Sequence, residues 1–226
     1  MALDGHVLAS TDGLKGFDVN GPVAADTAGA FVAHGYRFAI RYVRRKERHS
    51  YDLNSKEARA ILASGLGLMV VQHVANEGWS PSARLGATYG NTAAGEAARI
   101  GVPPGVTVWC DLEGVAPGAP ANAVIDFCNR WHSKVAAAGY VPGLYVGYGA
   151  RLNADQLYQS LRFTHYWRSY NLNADQTPST RGFQMTQRVS GDDDFVPGFE
   201  TPFQVDEIRA DALGGLPTLL IPESWL

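Results

Sequence analysis

The chain has 226 residues, 46% of them hydrophobic, and its 19 basic and 22 acidic residues give a formal net charge of -3. That length bounds one sizeable core, as a single barrel or two small domains, and the charge balance leaves no basic footprint for a nucleic acid. Met1 to Ser10 shows no basic-then-apolar leader, no run approaches about eighteen consecutive apolar residues, and Cys110 and Cys128 offer neither a disulfide framework nor a metal-type spacing.

Apolar runs of strand length alternate with longer segments of helical period, the pattern of an α/β fold with a parallel sheet. Residues 1–14 read as an N-terminal extension, followed by a strand over 15–19 and a helix over 24–34 that stops at Gly35. A strand over 37–43 precedes a helix over 54–64, capped by Asn54 or Ser55 and closed by Gly65. Next come a strand over 67–74, a helix over 82–100 ending at Gly101, a strand over 106–113, and a helix over 121–138 ending at Gly139. A strand over 141–148, a helix over 153–162 and strands over 165–170, 182–187 and 203–208 complete the set. Segments 171–181 and 188–202 are rich in Asn, Asp, Ser, Thr, Gly and Pro, so the last helices are short or missing. The whole predicts a compact (β/α)8 TIM-like barrel over 15–212, with helices reduced after strand six. A doubly wound sheet is the alternative, weakened because no GxGxxG or GxxxxGK[ST] fingerprint follows a strand. Residues 213–226, with Pro217 and Pro222, read as an extended strap packed on the barrel.

Reactive groups in such a barrel gather at the carboxyl ends of the strands. The sharpest signal is the run Val106 to Glu113, an apolar strand ending in two acids spaced i, i+2 before Gly114. Alternation puts Asp111, Glu113 and Trp109 on one face, the acids' Cα atoms about 6.5 Å apart, with Val108, Cys110 and Leu112 on the other. Two acids there repel each other and lose hydration, which raises one pKa and suits acid/base work. Asp18 is expected to point inward, with Phe17 and Val19 toward the helices, although an isolated strand-end acid also serves as a turn or cap. On the second strand Ala39, Arg41 and Val43 are expected inward, Arg41 as an ion-pair partner holding a nearby carboxylate ionised. Gln72, Tyr145, Trp167, Gln184 or Gln187, and Asp206 are the further strand-end candidates. Trp79, Tyr145, Tyr148, Tyr166, Trp167 and Tyr170 are able to stack on sugar rings or to fill the core. Arg44-Arg45-Lys46-Glu47-Arg48 reads as a solvated loop on the rim and Asp192-Asp193-Asp194 as solvent-facing. His34, His49, His73, His132 and His165 lack zinc spacing, so a zinc site is not expected. Cys128 shares a helical stripe with Val124, Trp131 and Val135, and both cysteines read as buried free thiols.

Six segments then occur in order: Gly-Phe-Asp (16–18), Ile-Arg-Tyr-Val (40–43), Val-Trp-Cys-Asp-Leu-Glu (108–113), Gly-Leu-Tyr-Val-Gly (143–147), Tyr-Trp-Arg-Ser-Tyr (166–170) and Gln-Val-Asp (204–206). Together they resemble the glycoside-hydrolase-like barrels catalogued as domain of unknown function 1906, distantly similar to the family 25 lysozymes, over roughly residues 15–210. The resemblance implies a muramidase-type enzyme, monomeric and without cofactor, that cleaves peptidoglycan or a related glycan outside the cell or at its envelope. No signal peptide stands in this chain, so a removed signal or phage-type release is expected. By the same resemblance Glu113 is the general acid, and Asp111 stabilises the oxocarbenium-like transition state or orients the substrate's 2-acetamido group. Asp18 positions substrate or tunes Glu113, and Arg41, Gln72, Trp79, Tyr145, Trp167, Gln184 and Asp206 are the substrate contacts. Two segments depart from the lysozyme pattern: Gly-Phe-Gln-Met-Thr-Gln (182–187) lacks Trp-Gln-Tyr, and Val-Asp-Glu-Ile (205–208) replaces Val-Asp-x-Asn. They keep open a non-catalytic glycan-binding or cell-envelope module on the same barrel. A magnesium-assisted reaction with Asp111 and Glu113 as ligands is the third reading.

Overall fold

The computed structural model describes residues 2–226, the side chain of Ala174 aside, so Met1 of the expected extension 1–14 lies outside the described residues. The strands are β1 (His6–Ala9), β2 (Lys15–Val19), β3 (Phe38–Val43), β4 (Gly67–Gln72), β5 (Thr107–Leu112), β6 (Val141–Val146), β7 (His165–Arg168), β8 (Met185–Val189), β9 (Gln204–Ile208) and β10 (Thr218–Ile221). Helices α1 (Ala25–Ala33), α2 (Ser55–Ala63), α3 (Ala83–Ile100) and α4 (Ala121–Ala137) follow β2, β3, β4 and β5 in turn. Where a helix over 153–162 was expected there is one π-helical turn, Gln156–Ser160. The segments after β7 and β8 hold only 3-10 turns.

Strands β2 to β8 pair in parallel in sequence order, and β9 closes the ring by pairing antiparallel with both β8 and β2. The eight-stranded barrel is therefore the expected α/β, TIM-like one, mixed rather than wholly parallel because its last strand is reversed. The cause lies in the connection. A parallel return needs a crossover of about a dozen residues or more, usually a helix. Segment 190–203 carries Gly191, Pro197, Gly198 and Pro202 around a single turn at Asp192–Asp194, so the chain re-enters the barrel from the rim it has just reached.

Local chemistry accounts for the elements. Asn54 caps α2 by accepting from the N–H groups of Lys56 and Glu57, and α3 stops at Gly101, where φ is 101°. Phe31 of α1 stacks on Phe17 of β2 with centroids 3.7 Å apart, and Tyr36 and Phe203 meet the pair edge-on. Helix α3 approaches α4 so closely that a Cβ at Gly90 would lie 2.7 Å from the Trp131 carbonyl oxygen. Cys110 and Cys128 are buried and unpaired.

β1 pairs antiparallel with β10, and β10 with β4 through Leu220 and Leu68, below the point where β4 and β5 begin to pair at Val70 and Val108. Thr218 N–H also donates to Thr107 Oγ1 of β5 at 2.9 Å. The strap thus fills the opening between the amino ends of β4 and β5. Among the described residues no helix is long and apolar enough to cross a membrane.

Register fixes what lines the interior. Neighbours across a sheet share a face, so Asp18 carries Gly16 with it, then Phe38, Ile40 and Tyr42 of β3, and Met69 and Val71 of β4. The same row continues through Trp109 and Asp111, Gly143 and Tyr145, Trp167, Met185 and Gln187, and Asp206. Large residues face small ones: Trp109 covers Gly143, where a Cβ would stand 2.5 Å from the indole Cζ3.

Candidate active site

Asp111 is the penultimate residue of β5 and Glu113 lies just beyond it, where the chain leaves the sheet. Three bonds hold this exit. Trp79 Nε1 donates to the Glu113 carbonyl at 2.9 Å, Gly78 N–H to the Gly114 carbonyl at 2.7 Å, and Gly114 N–H to the Tyr148 carbonyl at 2.8 Å. Gly114 takes φ of +62°, a turn that suits glycine. The Glu113 side chain rests against Gly147 beyond β6, where a Cβ would come within 2.5 Å of its own Cβ.

Hydrogen bonds separate the acids into two kinds. Asp18 is fully buried and held by Gln187 Nε2 at 2.7 Å and Tyr42 OH at 3.3 Å; Gln187 in turn accepts from Tyr145 OH at 3.0 Å. Asp206, also fully buried, accepts from Trp167 Nε1 at 2.9 Å, and its Oδ2 meets no N–H donor. The Asp206 and Asp18 carboxyls lie against each other, a contact that is a hydrogen bond only when one of the two acids is protonated. Burial, then the Asp18 charge, hold Asp206 well above the usual carboxylate range, so Asp206 carries the proton and donates it to Asp18. Asp18 itself is pushed up to about 6 by burial, against the hydrogen bonds that favour its charged form.

Asp111 and Glu113 have no such support: among the described residues neither carboxyl takes a hydrogen bond, and Asp111 Oδ1 is buried without a partner. Burial, then the charges of Glu113 and Asp18, raise Asp111 well above its ordinary value. Glu113, only half-buried, is raised to about 7 by burial and then by Asp18. Buried polar groups left unsatisfied by their own protein are uncommon, and here one of them sits beside a second acid at a strand end.

The structure brings Asp18, Asp111, Glu113, Tyr145 and Asp206 to one mouth but moves other candidates elsewhere. Arg41 is on the outer face, not the inner one. Its guanidinium bonds Glu57 of α2 at 2.6 Å, the Val19 carbonyl at 2.6 Å and the Tyr51 carbonyl at 2.8 Å, so the carboxylate it pairs with is Glu57 and it is not a substrate contact. Gln72 is likewise turned outward, accepting from Trp131 Nε1 at 2.8 Å and donating to the Tyr89 carbonyl at 2.9 Å. Gln184 bonds the backbone of Tyr166 and Thr164 and the carboxylate of Asp211, leaving the groove to Gln187. Trp167 is fully buried and so supports the site from within, while Trp79, partly buried, gives its N–H to the Glu113 carbonyl. Tyr148 and Tyr170 remain exposed. Tyr42 was missed because parity along the second strand was counted from Arg41; counting from Phe38, whose ring covers Gly16, would have found it.

Two surface segments also differ from expectation. Arg44 and Arg48 converge with Arg99 on buried Glu96, at 2.7, 2.9 and 2.9 Å, so the rim loop is pinned and not simply solvated. Asp194 is buried, bound by Arg188, Lys15 and the Gly191 N–H, which leaves only its two neighbours to solvent. A cleft of about 680 Å³ lies at the opposite end of the barrel among Leu8, Leu14, Trp225 and Leu226 and contains none of the acids.

The model of the Rv2525c-like, glycoside hydrolase-like domain matches residues 29–208. The chain belongs to that family. Among solved structures, the Tat-secreted protein Rv2525c of Mycobacterium tuberculosis in complex with L-tartrate superposes with a TM-score of 0.64 at 18% identity, over 88% of this chain and 96% of that one. The lysozyme from Streptomyces coelicolor gives 0.59 at 15% identity, covering 90% and 95% of the two chains. A family 25 glycosyl hydrolase from Bacillus anthracis gives 0.56 at 14%, covering 92% and 94%. No curated protein sequence matches. The resemblance read from the ordered motifs therefore holds: this Rv2525c-like, glycoside hydrolase-like chain shares the barrel of the lysozymes.

Proposed function

We propose that this glycoside hydrolase-like domain cleaves bacterial cell-wall peptidoglycan in the manner of a muramidase, at or outside the cell envelope and without a cofactor. The observation that carries the reading is the contrast among its acids. Asp18 and Asp206 are held by the protein, whereas Asp111 and Glu113 meet no donor among the described residues and face the mouth. Glu113, with its pKa raised to about 7, keeps a proton in neutral solution and is able to give it to a glycosidic oxygen as the C–O bond breaks. Asp111 behind it accepts the N–H of the 2-acetamido group or faces the charge growing at the anomeric carbon. The first role is open to the protonated carboxyl that its raised pKa favours; the second uses the anion, so the Asp111 proton leaves as that charge grows. Tyr148 and Tyr170 offer rings at the rim for the sugar faces. The likeness to lysozymes and to a Tat-secreted protein supports both the reaction class and the compartment.

Purified protein and a Glu113→Gln variant, incubated with insoluble peptidoglycan, test the reading through release of reducing ends. Release by the wild type that the substitution abolishes supports hydrolysis. Equal background release from both overturns it; binding without release would then favour a glycan-binding module, and chelator-sensitive release a metal-assisted reaction.

A further inference from the structure

Beside the acids lies a polar pair that this mechanism does not use. His73 follows β4 directly, and its N–H donates to the Val43 carbonyl at 3.1 Å, continuing the β3–β4 ladder. Its side chain therefore falls on the interior face, next after Val71 and level with Asp111 on β5. His73 Nε2 stands 2.7 Å from Asp52 Oδ1, and Asp52 Oδ2 accepts the His49 N–H at 2.7 Å. The imidazole lies on the ring of Tyr42 with centroids 5.0 Å apart, and Tyr42 is the residue whose hydroxyl bonds Asp18. His49 and Tyr51 meet it edge-on at 5.9 Å, and Tyr51 is fixed in turn by Arg41 through its carbonyl.

The chemistry of the pair is constrained. The Asp52 side chain is 2% exposed and already accepts one N–H, so it holds the imidazole in the tautomer with the proton on Nε2. Nδ1 is then a lone-pair acceptor. It meets no donor among the described residues and is not among the enclosed unpartnered atoms, and the side chain keeps 16% of its surface open. Burial, helped by His49 and Arg41, holds the His73 pKa below its ordinary value against the opposing pull of Asp52, so the ring is neutral in neutral solution.

We infer that His73, oriented by Asp52, is a sugar-binding residue of the groove whose Nδ1 accepts a hydrogen bond from a hydroxyl or amide N–H of an N-acetylated hexosamine lodged beside Asp18. The inference rests on the glycan-hydrolase reading and deepens it. An acceptor fixed in this way discriminates, because a sugar without a donor at that position leaves the nitrogen unpaired.

The test is imidazole NMR of protein carrying 15N-histidine, in a Glu113→Gln background that prevents turnover, titrated with a soluble tetrasaccharide of alternating N-acetylglucosamine and N-acetylmuramic acid. In the free protein the His73 proton belongs on Nε2; finding it on Nδ1 overturns the inference before any ligand is added. On titration the Nδ1 resonance moves saturably, and His73→Phe and Asp52→Asn weaken binding by about tenfold, the worth of one such bond. In the Glu113 enzyme the same changes raise KM with kcat nearly constant. His73→Gln, which keeps a donor to Asp52, controls for folding through its unfolding temperature. If the tetrasaccharide binds while Nδ1 stays still and His73→Phe binds equally well, the inference fails and the glycosidase reading stands. If no form binds the tetrasaccharide and the wild type releases no reducing ends, the glycosidase reading fails and takes the inference with it.

Discussion

Four acids share the barrel mouth, and what each touches assigns it a pH range. Glu113, raised to about 7, is protonated below that value, so kcat/KM on peptidoglycan should fall as pH rises through about 7; a rate still climbing at pH 9 would remove Glu113 as the acid. Asp206 leads to a stability prediction. Its folded pKa lies above its unfolded one, so its contribution is fully present below the ordinary carboxylate range and is lost as pH rises through the folded value. Asp206→Asn presents an oxygen to Trp167 and an amide to Asp18 without ever ionising. It should therefore raise the unfolding temperature at pH 8 and change it little at pH 4, with about 2–4 °C for each kcal/mol relieved in a chain of this size. Calorimetry that shows no gain at pH 8 would mean that the folded protein does not hold the Asp206 pKa above its unfolded value. Asp18, Asp111 and Glu113 were legible in the sequence because carboxylates ending apolar strands are conspicuous. Gln187 was legible only as an alternative to Gln184, and His73 not at all as a groove residue, since their roles depend on which neighbour each amide or ring reaches.

Among the elements, the strands were easier to read than the faces they present. Apolar runs and terminal glycines located β3, α2, β4, α3 and β5 to within a few residues, yet one slip of parity on β3 sent Arg41 inward and Tyr42 outward. The error was physical: an arginine near an acid invites pairing, and only the register with β2 reveals that α2 supplies Glu57 on the other side. Two glycines of neighbouring β6 register separate function from stability. At Gly147 an added Cβ would press on the Glu113 side chain near the barrel rim, whereas at Gly143 it would press on Trp109 in the core. Gly147→Ala should lower kcat roughly 10- to 100-fold by displacing the acid while the unfolding temperature falls little. Gly143→Ala should lose about 1–3 kcal/mol of stability through overpacking. Steady-state kinetics beside thermal melts check both; a Gly147→Ala enzyme with normal kcat would show that Glu113 does not act from the position against β6.

At the scale of the molecule, barrel closure depends on two segments that helical periodicity could not place. One is β9, whose direction was set by a helix-free connection. The other is the pair β1 and β10, which joins the first residues to the last across the amino ends of β4 and β5. We propose that the extension 1–14 and the strap 213–226 fold with the barrel 15–212 in one cooperative transition. Leu219 carries the test: it is fully buried, and its Cδ2 lies 3.1 Å from where a Cβ on Gly67 would stand. Leu219→Ala removes core contacts worth about 2–5 kcal/mol. Spread over a chain of this size that lowers the single unfolding temperature by roughly 5–15 °C. The acids lie at the opposite end, so activity measured well below the transition should be unchanged. A variant that melts in two steps, with only the first shifted, would show the strap to be an independent attachment rather than part of the barrel's closure.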